Sequence, residues 1–355
     1  MDKKIRTAII GGGKNGLVRG FLIHSHPDFE LTSVVDQNPA QEKMLSRILR
    51  VPGFSTIEAA VHQFQPDLLI FCNRSETNSH NIHIGLENQL HLFLSHPECC
   101  DYYQSKQLLH HARMLKINLL FGHPLNFRPT FSTMQNFLSD GSISDISFIK
   151  AGLQIHSLIE LTNSTASSST TKLIRASAKR IFPLLSLMLS FQGQVATLRA
   201  HKPSNSVENA INSLAIISRF CSEINGVIEL SWLYPKFPQR AKYSLLYSGT
   251  GGMAIAEPSR LSLLFQKDNK RFKAGKHDFH TTEVALFPEN RERYWGIYRE
   301  MDLISDTIIK GVDSPLSWEK AHHVIEVMEG IIRSVENDTT VNFPLPRRTF
   351  SKKNS

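Results

Sequence analysis

Apolar residues in the first third of the chain fall in short runs separated by stretches with helical spacing. Ile5–Ile10, Phe29–Val35, Leu68–Cys72, His91–Leu94 and Asn118–Phe121 predict strands. Gly16–His24, Pro39–Leu49, Thr56–Phe64, Asn78–Asn88 and Tyr102–Leu115 predict the helices between them. Strands alternating with helices imply parallel βαβ units, because a parallel pair needs a long crossover.

The rhythm changes near residues 122–130, where Pro124 and Pro129 interrupt the chain. A helix over Pro129–Leu138 is expected to end at Asp140-Gly141, a turn signal. Ser144–Ile155 alternates as a strand, Leu161–Thr171 is Ser/Thr-rich and reads as a surface loop, and Ala178–Phe191 reads as a helix. Strand-like runs follow at Val195–His201, Ala210–Phe220, Gly226–Leu233, Lys242–Tyr247, Gly252–Ala256 and Leu261–Phe265. Asn225-Gly226 is a two-residue hairpin signal, since both residues tolerate positive φ. A final helix is predicted over Ser317–Glu336. The fold class is therefore α/β: an N-terminal parallel domain over 1–122, then an α+β domain with a largely antiparallel sheet over 123–345. A basic tail over 346–355 is expected to be disordered.

The strongest chemical signal lies at the first strand–helix junction. Gly11-Gly12-Gly13-Lys14-Asn15-Gly16 is a G-x-G-x-x-G loop that follows a strand and opens a helix. Gly11 permits the tight turn, Gly13 lets backbone approach a pyrophosphate, and Gly16 lets helix pack on strand. The second strand ends at Asp36, about 20 residues on, where a carboxylate accepts hydrogen bonds from an adenosine ribose. Asp36 favours NAD, because its charge repels a 2′-phosphate. Lys43 and Arg47 nearby soften that preference and leave NADP open.

Composition narrows the rest. The 355 residues suit two domains. The fractions of 41% apolar and 20% charged residues exclude a largely disordered chain. No apolar run approaches the roughly 18 residues of a membrane span. Met1-Asp2-Lys3-Lys4 leads directly into the first strand, which predicts no secretory leader and a cytoplasmic location. Cys72, Cys99, Cys100 and Cys221 show no metal-like or disulfide spacing, and no metal is expected. His80 and His83 share a helix face without a third ligand. The net charge of +8 is spread over Arg175, Lys179, Arg180, the 267–276 stretch and the tail, without the clustering with aromatics that nucleic acid requires. Neither nucleic acid nor membrane is expected as a partner.

With these residues in view, the chain resembles the glucose–fructose oxidoreductase / inositol dehydrogenase / MocA family along most of its length. Leu68–Ser75 is similar to the family's fourth-strand segment, Leu94-Ser95-His96-Pro97 stands where the family has Glu-Lys-Pro, and Gly122–Pro129 resembles the stretch carrying Arg-Phe-x-Pro. Tyr247–Gly252 looks like its Gly-rich sheet turn, and Tyr298–Gly311 with Pro315–Val341 like its closing segment. The resemblance implies a Rossmann domain, a second domain with a large open sheet, and a homodimer or homotetramer formed through that sheet. It implies an NAD(P)-dependent oxidoreductase that transfers hydride to or from a small polar substrate of the sugar, nucleotide-sugar or cyclitol class. The cofactor set it implies is Gly11, Gly13, Asn15, Gly16, Asp36, Asn73, Arg74, Ser75, Asn78, Ser95, His96 and Pro97. The substrate set is His123, Asn126, Arg175 and Lys179.

The departures bear on mechanism. His96 replaces the family's lysine and Ser95 its glutamate. Histidine still moves protons near neutral pH, so His96 is the expected catalytic residue, with Lys179 as the other. On an ungapped alignment, Arg175 and Lys179 stand where the family has an Asp and a His, which makes the site basic and favours an anionic substrate. Asn126 replaces the motif arginine. A histidine before the proline also resembles the thiazolinyl imine reductases. Two further readings stay open: imine reduction, and a non-catalytic NAD(P)-binding sensor or scaffold.

Overall fold

A computed structural model describes residues 4–73, 78–123, 125–156, 170–202, 213–233, 241–286 and 296–346. It has two compact units. The first comprises residues 1–129 and 285–325, the second 130–284 and 326–355. The chain thus returns to the first unit after residue 284, which the βαβ rhythm does not signal.

In the first unit, β1 (Ile5–Ile10), α1 (Lys14–Ser25), β2 (Phe29–Val35), α2 (Pro39–Leu49), β3 (Gly53–Phe54), α3 (Ile57–Phe64), β4 (Leu68–Phe71), α4 (Asn78–Glu87), β5 (His91–Leu94), α5 (Tyr102–Leu115) and β6 (Leu119–Phe121) alternate. The six strands are parallel, in the order β3-β2-β1-β4-β5-β6. The order reverses between β1 and β4, and ligands of such sheets bind beyond the strand C-termini at that crevice. All four residues of β4 are buried, as a parallel strand covered on both faces requires. Asn38 caps α2 by accepting from the Ala40 and Gln41 N–H groups, Thr56 caps α3, and Asp101 with Gln104 forms a capping box on α5.

In the second unit, α6 (Pro129–Ser139), β7 (Ile146–His156), α7 (Thr170–Ala176) and α8 (Ala178–Gln192) precede β8 (Val195–His201), β9 (Ser213–Phe220), β10 (Asn225–Leu233), β11 (Lys242–Gly249), β12 (Gly252–Glu257), β13 (Arg260–Phe265) and β14 (Gly275–His280). They form a nine-stranded sheet ordered β14-β13-β12-β11-β7-β10-β9-β8-β15, with β15 at Val341–Asn342. Only β7 and β10 pair in parallel; the other neighbours are antiparallel. Leu214, Ile216 and Phe220 of β9 point inward while Ala215, Ile217 and Arg219 alternate outward. The buried face packs on α8 through Leu184, Leu185, Leu187 and Met188. Trp232 donates through its indole N–H to Ser177 Oγ at 2.8 Å, and Tyr247 through its hydroxyl to the Met188 carbonyl at 3.2 Å.

Asn225-Gly226 is not the turn that its local preference suggests. Both residues lie inside β10, paired with Arg219 and Ser218. The chain reverses at residues 221–224 instead, with Glu223 at φ 65°. A side chain at Gly226 would meet Met188 and Ser218 at 2.8 Å, so glycine is there for packing. Of the expected Ser/Thr-rich loop, Thr170 and Thr171 open α7 and the rest lies outside the described residues. The start of the Ala210 run also lies outside them, and β9 is described from Ser213. Of the expected tail, Pro346 is described and residues 347–355 are not.

The chain continues through α9 (Thr281–Val284), α10 (Gly296–Lys310) and α11 (Trp318–Asn337), the unit boundary falling within α11. No helix among the described residues is long and apolar enough to cross a membrane.

Candidate dinucleotide site

β1 delivers the chain into the Gly-rich loop at the sheet's crevice. Gly11 has φ 107°, and a Cβ there would meet Asn73 Cβ at 2.8 Å. Asn73 follows β4, so the loop and the β4 terminus lie against each other. At Gly16 a Cβ would stand 2.1 Å from the Gly11 carbonyl oxygen, which only glycine avoids. Around Gly13 there is nothing within 4 Å of that position. Gly13 is the N-cap of α1, whose first turn holds no acidic residue. Exposed backbone N–H groups at a helix start with room before them are the arrangement that receives phosphate.

Asp36 closes β2. Its Oδ2 accepts from the Gly12 N–H at 2.5 Å and its Oδ1 from the Asn38 N–H at 2.8 Å. An ionised carboxylate has about four lone-pair sites, so capacity remains for ribose hydroxyls. Gly12 is a glycine for the same reason, since a Cβ would come within 3.0 Å of that carboxylate.

His96 stands at the C-terminal end of β5 as the N-cap of a 3-10 turn, Pro97–Cys99. Its Nε2 lies 3.1 Å from Asn15 Nδ2, and its Nδ1 lies 3.2 Å from Glu98 Oε1. The His96 side chain is 22% exposed and that of Glu98 8%. The loop residues Gly12–Asn15 are therefore held by Asp36 at one end and by His96 at the other. Glu98 is the residue that sequence reasoning missed; its only signal was an acidic residue two positions after a histidine.

Beneath the loop lies a buried polar cluster. Arg19 of α1 donates to Glu300 of α10 at 2.6 Å, and the guanidinium stacks on Phe93 at 4.5 Å. Glu300, 0% exposed, also accepts from the His123 backbone N–H at 2.5 Å. His123 is enclosed, 2% exposed, with its ring 5.8 Å from that of Phe121. Burial holds the His123 imidazole down at about 4, against a partial opposing pull from Asn126. Burial pushes the Cys72 thiol up to about 11, so it stays protonated, with Arg19 opposing.

Of the expected site residues, the first unit brings together Gly11, Gly13, Asn15, Gly16, Asp36, Asn73, Ser95, His96 and Pro97 around the strand termini. Arg74 and Ser75 lie outside the described residues, and Asn78 opens α4. His123 is in the core rather than open to a ligand, and Asn126 is half-buried. Arg175 and Lys179 belong to the second unit, on α7 and α8. Arg175 is paired with Glu329 at 3.4 Å, and Lys179 is exposed. Much of the remaining positive charge is neutralised locally, as in Lys273–Asp268 and Lys276–Asp278. Among the described residues no group of three or more His, Cys, Asp or Glu is placed to hold a metal ion.

Residues 5–123 match the family described as "Oxidoreductase family, NAD-binding Rossmann fold". No curated protein sequence matches the chain. Several solved structures share its fold. An oxidoreductase from Agrobacterium radiobacter, solved with NAD+, L-tartaric acid and magnesium, is 12% identical with TM-score 0.78, covering 96% of this chain and 98% of that one. The WlbA dehydrogenase of Bordetella pertussis, solved with NADH and UDP-GlcNAcA, is 14% identical with TM-score 0.77, covering 98% and 99%. A levoglucosan dehydrogenase solved with NADH and L-sorbose is 13% identical with TM-score 0.76, covering 97% and 100%. At these identities the likeness is one of fold.

Proposed function

Through residues 5–123 the chain belongs to the Gfo/Idh/MocA family of NAD-binding oxidoreductases, and on that footing we propose that it transfers hydride between NAD and a small polar substrate of the sugar or nucleotide-sugar class. The observation that carries this reading is the loop Gly12–Asn15, held by Asp36 at one end and His96 at the other. Its open Gly13 backbone fits a pyrophosphate, and Asp36 fits a ribose diol without a 2′-phosphate. NAD, when bound, supplies the hydride acceptor or donor.

The chain's own part is binding and proton transfer. Gly13, Lys14 and Asn15 offer backbone N–H groups to phosphate. With the substrate hydroxyl in place of Asn15 Nδ2 at Nε2, His96 takes the hydroxyl proton there as a carbinol is oxidised, and returns it when a carbonyl is reduced.

Neighbouring folds support the substrate class: one was solved with a nucleotide-sugar acid and another with a sugar. The test is turnover of NAD+ or NADH on a panel of sugars, nucleotide-sugars and cyclitols, with His96→Ala alongside. The variant should keep NAD affinity and lose about 10²–10⁴ in turnover. Turnover unchanged in the variant would remove His96 from the reaction. A second reading, a cofactor-holding protein without turnover, is favoured by Ser95 in place of a carboxylate and by the engagement of Arg175 with Glu329. It predicts NAD binding with no hydride exchange across the panel.

A further inference from the structure

Glu98 is not among the residues that receive dinucleotide, yet its side chain is nearly buried and faces His96 Nδ1 at 3.2 Å. On the other side of the ring, Asn15 Nδ2 faces Nε2 at 3.1 Å. The two partners differ in kind. An ionised carboxylate only accepts, so the nitrogen that faces it must carry the proton. An amide NH₂ only donates, so the nitrogen that faces it must present its lone pair. Both contacts are satisfied by one neutral tautomer, with hydrogen on Nδ1 and an unprotonated Nε2.

We propose that Glu98 is a positioning residue that fixes His96 as the Nδ1–H tautomer, so that Nε2 is the atom that accepts and returns the substrate proton. The assignment deepens the oxidoreductase reading and rests on it for the identity of that proton. The step balances once the substrate hydroxyl replaces Asn15 Nδ2 at the single Nε2 lone pair: the substrate O–H bond breaks, an Nε2–H bond forms, and the resulting imidazolium keeps its Nδ1–H on Glu98. The carboxylate stabilises that cation without taking its proton, as a carboxylate does behind a general-base histidine. Glu98 and His96 are two residues apart across Pro97, whose fixed φ sets the turn that brings them together. Asn15 ties the same ring to the Gly-rich loop, so the proton-handling atom and the phosphate-receiving backbone share one support.

The experiment reads the tautomer in the full-length protein without cofactor or substrate. Ring nitrogens of ¹⁵N-histidine-labelled protein are observed by long-range ¹H–¹⁵N correlation above neutral pH, with His96 assigned by its loss in His96→Gln. The wild type should show a protonated-type Nδ1 and an unprotonated Nε2. Glu98→Ala should shift the ratio of the two tautomers at least about tenfold toward Nε2–H, the change expected on losing a charge-assisted hydrogen bond. Glu98→Gln, which keeps an acceptor oxygen in place, should retain most of the Nδ1–H form, a rescue that a merely space-filling role would not produce. A wild-type ring protonated on Nε2, or on both nitrogens, overturns the proposal even if Glu98→Ala does not fold. So does a Glu98→Ala ratio equal to that of the wild type. Because no turnover is read, failure here leaves NAD binding and hydride transfer standing, and failure of those leaves the tautomer measurement valid.

Discussion

Glu300 of α10 accepts from the Arg19 guanidinium at 2.6 Å, although the two lie 281 positions apart in sequence, and both side chains are buried in the first unit. The pair sits under the Gly-rich loop, since Arg19 lies on the helix which that loop opens. Removing one member leaves a buried charge without its counter-charge. Arg19→Met should therefore cost about 3–5 kcal/mol, whereas adding Glu300→Gln should recover much of it, because the amide still accepts from the His123 N–H. Urea unfolding of the two single variants and the double variant measures the coupling. Strictly additive losses would show that the pair contributes nothing as a pair.

His123 makes stability depend on pH. Its folded-state value of about 4 lies below the 6.5 of a free imidazole. The folded protein thus keeps the ring neutral while the unfolded chain takes up a proton. The contribution is complete above about pH 6.5 and is lost as pH falls towards 4, amounting to about 3 kcal/mol at full extent. Glu300, which burial pushes above the ordinary carboxyl value, acts with the opposite sign as pH falls. Comparing His123→Gln with wild type isolates the histidine: the variant's melting temperature should fall less between pH 7 and 4.5. Parallel curves would contradict the assignment.

Two glycines of one loop should fail differently. At Gly16 a methyl group would strike the Gly11 carbonyl, so Gly16→Ala should destabilise the fold by about 1–3 kcal/mol. At Gly13 the space is open, so Gly13→Ala should fold with a loss under about 1 kcal/mol. It should nevertheless weaken NAD at least about tenfold, by filling the place of closest phosphate approach. Thermal melts with NAD+ titrations separate the two effects.

Asp36 should set cofactor choice. Asp36→Ser removes the charge facing the 2′ position and the acceptor of the Gly12 N–H. NAD+ affinity should drop about tenfold or more while NADP+ affinity rises, each measured by calorimetry. Loss of both equally would mean that Asp36 serves the loop alone.

The first sheet is legible in the chain because each strand is a short apolar run bounded by helical spacing, and the Gly-rich loop because its glycines answer local steric demands. The return of residues 285–325 to the first unit is not, since an amphipathic helix such as α10 does not say which core it joins. Glu300 even hides in that pattern, as a charged residue at a buried position. β14 escapes because Lys276, His277, Asp278 and His280 dilute its apolar alternation, and none of its residues is fully buried. Asn225-Gly226 misleads because sheet register and the close approach of Met188 outweigh a two-residue turn preference. At the site, Asp36 can be named from spacing and His96 only from the resemblance of Leu94–Pro97 to the family's Glu-Lys-Pro segment, while Glu98 gains meaning only once the turn through Pro97 places it against the imidazole.

The most direct measurement is calorimetric titration of the purified protein with NAD+ and, separately, NADP+. One NAD+ should bind per chain, with NADP+ at least about tenfold weaker. A folded protein that binds neither dinucleotide would contradict the assignment of the Gly-rich loop and Asp36 as a cofactor site.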